Sequence, residues 1–109
     1  MKLFAWLSLT LMLVVGADAA RAHSFYDPWC CRGEVDCQPI RTEAVQITPK
    51  GYLVTLRPQD HTMLANEKAR RTYLVPFREA KPSPDGGYHA CIYPGPDHLR
   101  CFYAPPHGS

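Results

Sequence analysis

The pattern of apolar and polar positions first becomes regular at residues 43–48, where valine and isoleucine alternate with glutamine and threonine. This period of two predicts a strand with one buried face. A second run, 52–56, is rich in aromatic and β-branched residues and follows a Pro-Lys-Gly turn. We therefore predict an antiparallel hairpin over 43–57, in which Gly51 can adopt a positive φ.

The rest of the chain contains three further runs with strand character: 71–75, 88–93 and 99–103. Residues 62–70 have the composition of one or two helical turns, although their apolar spacing suits an extended loop as well. The last two strands form a hairpin if their connection is centred on Pro96, which places Cys91 opposite Cys101. Together these patterns predict a mainly β fold, built as a small antiparallel sheet of about four or five strands with a crosslinked N-terminal loop over it.

The N-terminus has the features of a secretory signal peptide. Lys2 precedes an apolar run over 3–15, and mostly small residues fill 16–22. The run is too short to span a bilayer comfortably, and small residues are typical of a signal cleavage site. Cleavage after Ala19 or Ala22 fits this pattern. We prefer Ala22, because a segment dense in aromatic residues and cysteines starts directly after it.

The chain would then consist of a signal peptide over 1–22 and a single small β-domain over 23–109, whose tail from 104 to 109 should fray. The full chain has 109 residues, 11 prolines, 7 glycines and a net charge of +2. A short, turn-rich domain buries a modest fraction of its surface. Its cations are scattered along the chain, so no basic stripe indicates nucleic acid. No membrane association is expected after signal cleavage.

All five cysteines follow the predicted signal peptide, and exported proteins meet an oxidising compartment in which disulfides form. We expect Cys91–Cys101 across the last hairpin, since directly opposed residues bring their β-carbons close. A pairing of Cys31 with Cys37 is expected within the N-terminal loop. Sequence does not decide among the possible pairings, and an odd count leaves one thiol.

Motifs spread over the whole predicted mature chain are His23 followed by Phe25-Tyr26, Cys30-Cys31 with Asp36-Cys37, Gly51-Tyr52, residues 82–86 running into Tyr88-His89-Ala90-Cys91, and residues 100–106. Their order resembles that of a family of small, uncharacterised exported bacterial proteins. The resemblance implies export, a mature start at the histidine and a shared five-cysteine arrangement. It implies no activity.

A copper site at His23 is the sharpest chemical hypothesis. A first-residue histidine offers its α-amino nitrogen and its imidazole as a chelating pair, and nitrogen ligands suit Cu(II). His89 is the first candidate for a second imidazole, because it shares a strand face with Cys91. His61 and His98 are loop alternatives.

The competing hypothesis is a non-enzymatic module that binds a partner protein in the periplasm. The chain shows no specific catalytic motif and no Cys-x-x-Cys redox motif. Aromatic residues and arginine are the usual anchors of protein interfaces, although the same aromatic residues would serve as core. The candidates are Tyr26, Trp29, Tyr73, Phe77, Tyr93 and Tyr103. Partner binding is preferred narrowly over copper binding.

Overall fold

The computed structural model describes residues 25–31 and 35–106. The predicted signal peptide over 1–22 and the predicted first residue, His23, lie outside the described residues, as does the end of the predicted tail. These expectations therefore stay predictions.

The described chain folds into seven strands: β1 (Cys37–Ile40), β2 (Val45–Thr48), β3 (Gly51–Leu56), β4 (Arg71–Val75), β5 (Lys81–Pro82), β6 (Tyr88–Ile92) and β7 (Leu99–Ala104). A four-stranded sheet has the order β1-β6-β7-β5, and a three-stranded sheet has the order β2-β3-β4. Every pairing is antiparallel except that of β5 with β7. The mainly β prediction is confirmed, with the strands shared between two sheets.

The predicted hairpin over 43–57 is present as β2 and β3, with Val45 opposite Val54 and Thr48 opposite Gly51. Gly51 adopts a φ of 140°. A β-carbon built on it would stand 2.2 Å from the carbonyl oxygen of Val75 in the neighbouring β4. Both the conformation and the close approach of β4 therefore require glycine here.

The two strands that sequence patterns do not indicate, β1 and β5, form the edges of the four-stranded sheet. Each contains a proline, Pro39 in β1 and Pro82 in β5. Proline lacks a backbone donor and is confined largely to edge strands. A proline in a short run therefore weakens the sequence pattern that would predict a strand there. Their presence raises the strand number above the four or five expected.

Residues 62–70 contain a single 3-10 turn, Thr62–Leu64, and no longer helix. His61 caps this turn, since its Nδ1 accepts a hydrogen bond of 3.1 Å from the amide of Met63. Its Nε2 lies 3.0 Å from the carbonyl oxygen of Ala90. Burial lowers the pKa of His61, which favours the neutral ring that this cap requires. Among the described residues, no helix combines the length and apolar character needed to cross a bilayer.

The main core lies between the two sheets. Tyr52 of β3 packs against Phe102 of β7, with 5.2 Å between ring centroids, and Tyr88 of β6 stacks on Phe102 at 5.7 Å. Val54, Leu56, Leu64 and Ile92 are fully buried around them. Alternation along β6 and β7 leaves the other face of the four-stranded sheet, which carries the cysteines, to the segment 25–31.

On this second face, Cys91 of β6 lies opposite Cys37 of β1 on one side and Cys101 of β7 on the other. The disulfides are Cys37–Cys91 and Cys30–Cys101. The predicted register of Cys91 against Cys101 is confirmed, but the pairings Cys91–Cys101 and Cys31–Cys37 are wrong.

The reason is the unpredicted strand β1. It gives Cys91 a second opposed cysteine, Cys37, at a Cα–Cα distance of 3.9 Å. Cys101 then bonds Cys30, which crosses above it with a Cα–Cα distance of 5.5 Å. Cys31 is the cysteine outside both bridges. Disulfides of this kind form in oxidising compartments.

Peptide mapping of a Cys31→Ser variant should confirm this pairing. Trypsin places the four remaining cysteines in four separate peptides: the one ending at Arg32, and 33–41, 79–100 and 101–109. Without reduction, mass spectrometry should find the first joined to the last, and 33–41 joined to 79–100. A link between 79–100 and 101–109 would contradict the structure.

Replacing Gly51 by alanine should lower the free energy of unfolding by at least about 2 kcal/mol, because the β-carbon is strained at this φ and collides with Val75. Gly95→Ala is the matched control, since nothing lies within 4 Å of its added carbon. Its effect should stay within about 0.5 kcal/mol. Denaturant unfolding of both variants measures the difference, and equal values would refute the role assigned to Gly51.

Candidate functional site

The candidate site lies where the segment 25–31 crosses the four-stranded sheet. The Cys30–Cys101 disulfide fixes one end of the crossing, and the amide of Asp27 donates a 2.8 Å hydrogen bond to the hydroxyl of Tyr103. A turn closes between them, with the amide of Cys30 bonded to the carbonyl of Asp27 at 2.8 Å. The segment is therefore held at two points and presents different side chains inward and outward.

Its inner side forms a hydrogen-bonded chain of three side chains. The hydroxyl of Tyr26 lies 2.7 Å from Nδ1 of His89, and Nε2 of His89 lies 2.9 Å from the carboxylate of Asp85. His89 is 3% exposed. A neutral imidazole with its proton on Nε2 satisfies both contacts, since it accepts from Tyr26 and donates to Asp85.

Asp85 accepts two more hydrogen bonds, from the hydroxyl of Ser83 at 2.8 Å and from the amide of Gly87 at 2.9 Å. These bonds, led by that from His89, lower the pKa of Asp85 to about 2. Burial, reinforced by the charge of Asp85, raises the pKa of Tyr26 to about 12. The phenol therefore stays protonated at neutral pH, and the three bonded side chains hold the segment against the sheet.

Aromatic packing completes the inner side. The ring of Phe25 meets His89 edge-on at 4.9 Å between centroids and Tyr103 at 5.5 Å. Tyr26 lies 5.5 Å from Tyr103. Phe25 and Tyr26 thus cover the sheet, whereas Trp29 turns away from it and is 61% exposed.

The outer side is a cluster of Trp29, Arg100 and Tyr93, which we call the Trp29 surface. The guanidinium carbon of Arg100 lies 3.9 Å from the centroid of the Trp29 ring and 5.6 Å from that of Tyr93. Nε of Arg100 also donates to the carbonyl of Trp29 at 2.5 Å, and the amide of Trp29 donates to Asp27 at 2.9 Å. Cation–π contact and both backbone bonds therefore fix an indole that remains open to solvent.

Arg100 also lines a cleft of about 260 Å³ between β4 and β7, so the Trp29 surface borders this cleft. Tyr73 lines it as well, and its hydroxyl donates a 2.6 Å hydrogen bond to the carbonyl of Pro96. Acidic groups are contributed by Glu79 and Asp97. The cleft thus combines apolar side chains with charges of both signs.

The structure describes three of the four histidines that were predicted as possible metal ligands. His89 is described, and its two ring nitrogens are both engaged, by Tyr26 and by Asp85. His61 is buried with both nitrogens bonded, while His98 is exposed. Over residues 25–31 and 35–106, no group of three or more His, Cys, Asp or Glu side chains is arranged to hold a metal ion. His23 lies outside those residues.

Sequence reasoning found most of the aromatic residues of the site and missed two polar ones. Asp85 lies four residues before His89, a spacing that could have suggested the pair. Arg100 adjoins Cys101 and gives no signal of its own until β7 is placed beside Trp29. Phe77, a predicted interface residue, packs instead at 5.2 Å from Tyr52, away from the site.

Comparison with known proteins adds no further assignment to this site. No protein-family model, curated protein or solved structure matches the chain. The resemblance to small exported bacterial proteins therefore continues to rest on its motifs.

Proposed function

We propose that this chain is an exported, non-enzymatic protein that binds a partner protein in the periplasm through the Trp29 surface. The observation that carries the proposal is an indole that is 61% exposed yet fixed by Arg100. The two disulfides support an oxidising location.

The composition and rigidity of the Trp29 surface suit an interface anchor. Tryptophan, tyrosine and arginine are the residue types most enriched among the contacts that dominate binding energy. The backbone of Trp29 and its contact with Arg100 already hold the residue in place. Binding of a partner would therefore carry only a small entropy cost for ordering this side chain. The neighbouring cleft offers a place for a side chain of that partner.

The inner side of the site gives the proposed binding surface a rigid support. His89 is hydrogen-bonded to Tyr26 through one ring nitrogen and to Asp85 through the other, and the raised pKa of Tyr26 opposes its ionisation. Such a network holds the segment that carries Trp29 in place.

Trp29→Ala should reduce capture of the partner by at least about tenfold, the effect of removing a dominant anchor. The purified protein would be immobilised, exposed to exported proteins of its source at moderate salt, and the captured proteins quantified by mass spectrometry. Phe77→Ala is the control, because Phe77 is also an exposed aromatic, at 47%, but lies outside the site. Both variants should keep both disulfides. Failure of the unmodified protein to enrich any protein, or equal capture by Trp29→Ala, would contradict the proposal.

Copper binding by His23 with His89 is the second candidate, and one observation favours it. The Phe25 ring packs on His89, and His23 precedes Phe25 by two residues. Two residues span at most about 7 Å, so a chain starting at His23 begins within reach of the His89 region. Binding would require one nitrogen of His89 to exchange its hydrogen bond with Tyr26 or Asp85 for the metal.

If copper is bound in this way, intact-mass analysis should find His23 as the first residue. Titration with Cu(II) should then give an affinity that falls at least about tenfold in both His23→Ala and His89→Ala, since each removes a nitrogen ligand. His98→Ala, which alters an exposed histidine, serves as the control. Another first residue, or unchanged affinity in the two test variants, would exclude this site.

A further inference from the structure

We infer that the chain has a second binding site, for the phosphate group of a small hydroxylated molecule such as a sugar phosphate. The site is a cleft of about 250 Å³ lined by Arg41, Glu43, Thr55, Arg57 and Arg70. It lies where β3 ends and β4 begins, and the inference does not depend on the partner or copper proposals.

Two of its arginines are fixed by a buried carboxylate. Asp60, whose side chain is 3% exposed, accepts Nε and Nη2 of Arg41, both at 3.0 Å. It also accepts Nη2 of Arg57 at 2.9 Å and the amide of Arg57 at 2.8 Å. These bonds, led by those from Arg41, lower the pKa of Asp60, so the carboxylate stays ionised and both guanidinium planes stay oriented.

The same two arginines keep donors for a ligand. A guanidinium has five N–H groups in a rigid fork, and Asp60 uses only those on Nε and Nη2 of each side chain. The side chains of Arg41 and Arg57 remain 38% and 37% exposed. The unused N–H groups are therefore available at the wall of the cleft.

Arg70 adds a third cation that nothing in residues 25–31 or 35–106 neutralises through a hydrogen bond or ion pair. Asp60 compensates one arginine and Glu43 a second, so the group retains one positive charge. Like charges gathered around a single cleft repel one another, and the two carboxylates leave one of the three guanidinium charges uncompensated. This excess indicates an anionic ligand.

The remaining lining residues narrow the class of ligand. Forked guanidinium donors match the oxygens of phosphate. The Glu43 carboxylate repels a bare anion but accepts hydrogen bonds from hydroxyl groups, and Thr55 contributes a hydroxyl that lies 3.3 Å from that of Thr72. A phosphate ester of a polyol satisfies both kinds of group, whereas inorganic phosphate satisfies the arginines alone.

Calorimetric titration at low salt should test the site with three probes: glucose 6-phosphate, inorganic phosphate and glucose. We expect glucose 6-phosphate to bind more tightly than inorganic phosphate, and glucose to give no detectable binding. Equal affinity for the two phosphates would overturn the assignment of a hydroxylated ligand. Saturable binding of glucose, or no binding of either phosphate, would overturn the site.

Substitutions inside and outside the cleft distinguish binding at the cleft from non-specific attraction to surface charge. Arg70→Ala should weaken glucose 6-phosphate binding about threefold to tenfold, because it removes one exposed charged donor. Lys68→Ala removes another exposed cation that does not line the cleft and should leave the affinity unchanged. Glu43→Gln should increase the affinity for inorganic phosphate, because it removes the negative charge that repels the anion. Equal losses in Arg70→Ala and Lys68→Ala, or no gain in Glu43→Gln, would overturn the inference. All three positions are exposed, and unchanged melting temperatures would show that the variants fold.

Discussion

The row of cysteines across β1, β6 and β7 is the constraint on which the rest of the structure depends. Cys37 and Cys91 bridge two neighbouring strands, and Cys101 extends the row to Cys30 in the crossing segment. The bridges join residues 54 and 71 positions apart, and loops of that length correspond to about 4 kcal/mol of chain-entropy stabilisation each. They tie the first described segment to the last strand, so the short domain does not rely on its core alone.

The same constraint explains how much of the fold the sequence predicts. The hairpin of β2 and β3, the strand β4 and the last hairpin are local, and alternation with turn residues predicts all of them. β1 and β5 contain prolines and pair with strands far away in the chain, so local patterns miss them. The disulfide pairing fails for that reason: Cys91 has the predicted neighbour, Cys101, but also one contributed by β1.

The candidate site divides in the same way. Sequence indicates that Tyr26, Trp29 and His89 matter, because their residue types suit interfaces or metals. The sequence does not show that Tyr26 and His89 form a hydrogen bond with each other. Nor does it show that the Trp29 side chain points outward, because Trp29 contacts Arg100, which lies in a distant strand. The chain also fixes cations by two different means. Arg100 and Trp29 hold each other through the cation–π contact and the bond to the Trp29 carbonyl, and a buried carboxylate holds Arg41 and Arg57. Both proposed binding surfaces therefore present charges whose positions are set before a ligand arrives.

The prolines in β1 and β5 also affect whether another strand can pair with the edges of the four-stranded sheet. Both outer strands of the four-stranded sheet are short, with four and two residues, and each lacks one amide donor at its proline. An added strand would find few backbone partners there, which protects the sheet against edge-to-edge aggregation. Recognition at this sheet is therefore left to side chains. A partner of the kind proposed would be selected by the shape and charge of exposed groups rather than by the backbone pairing that any extended peptide could supply.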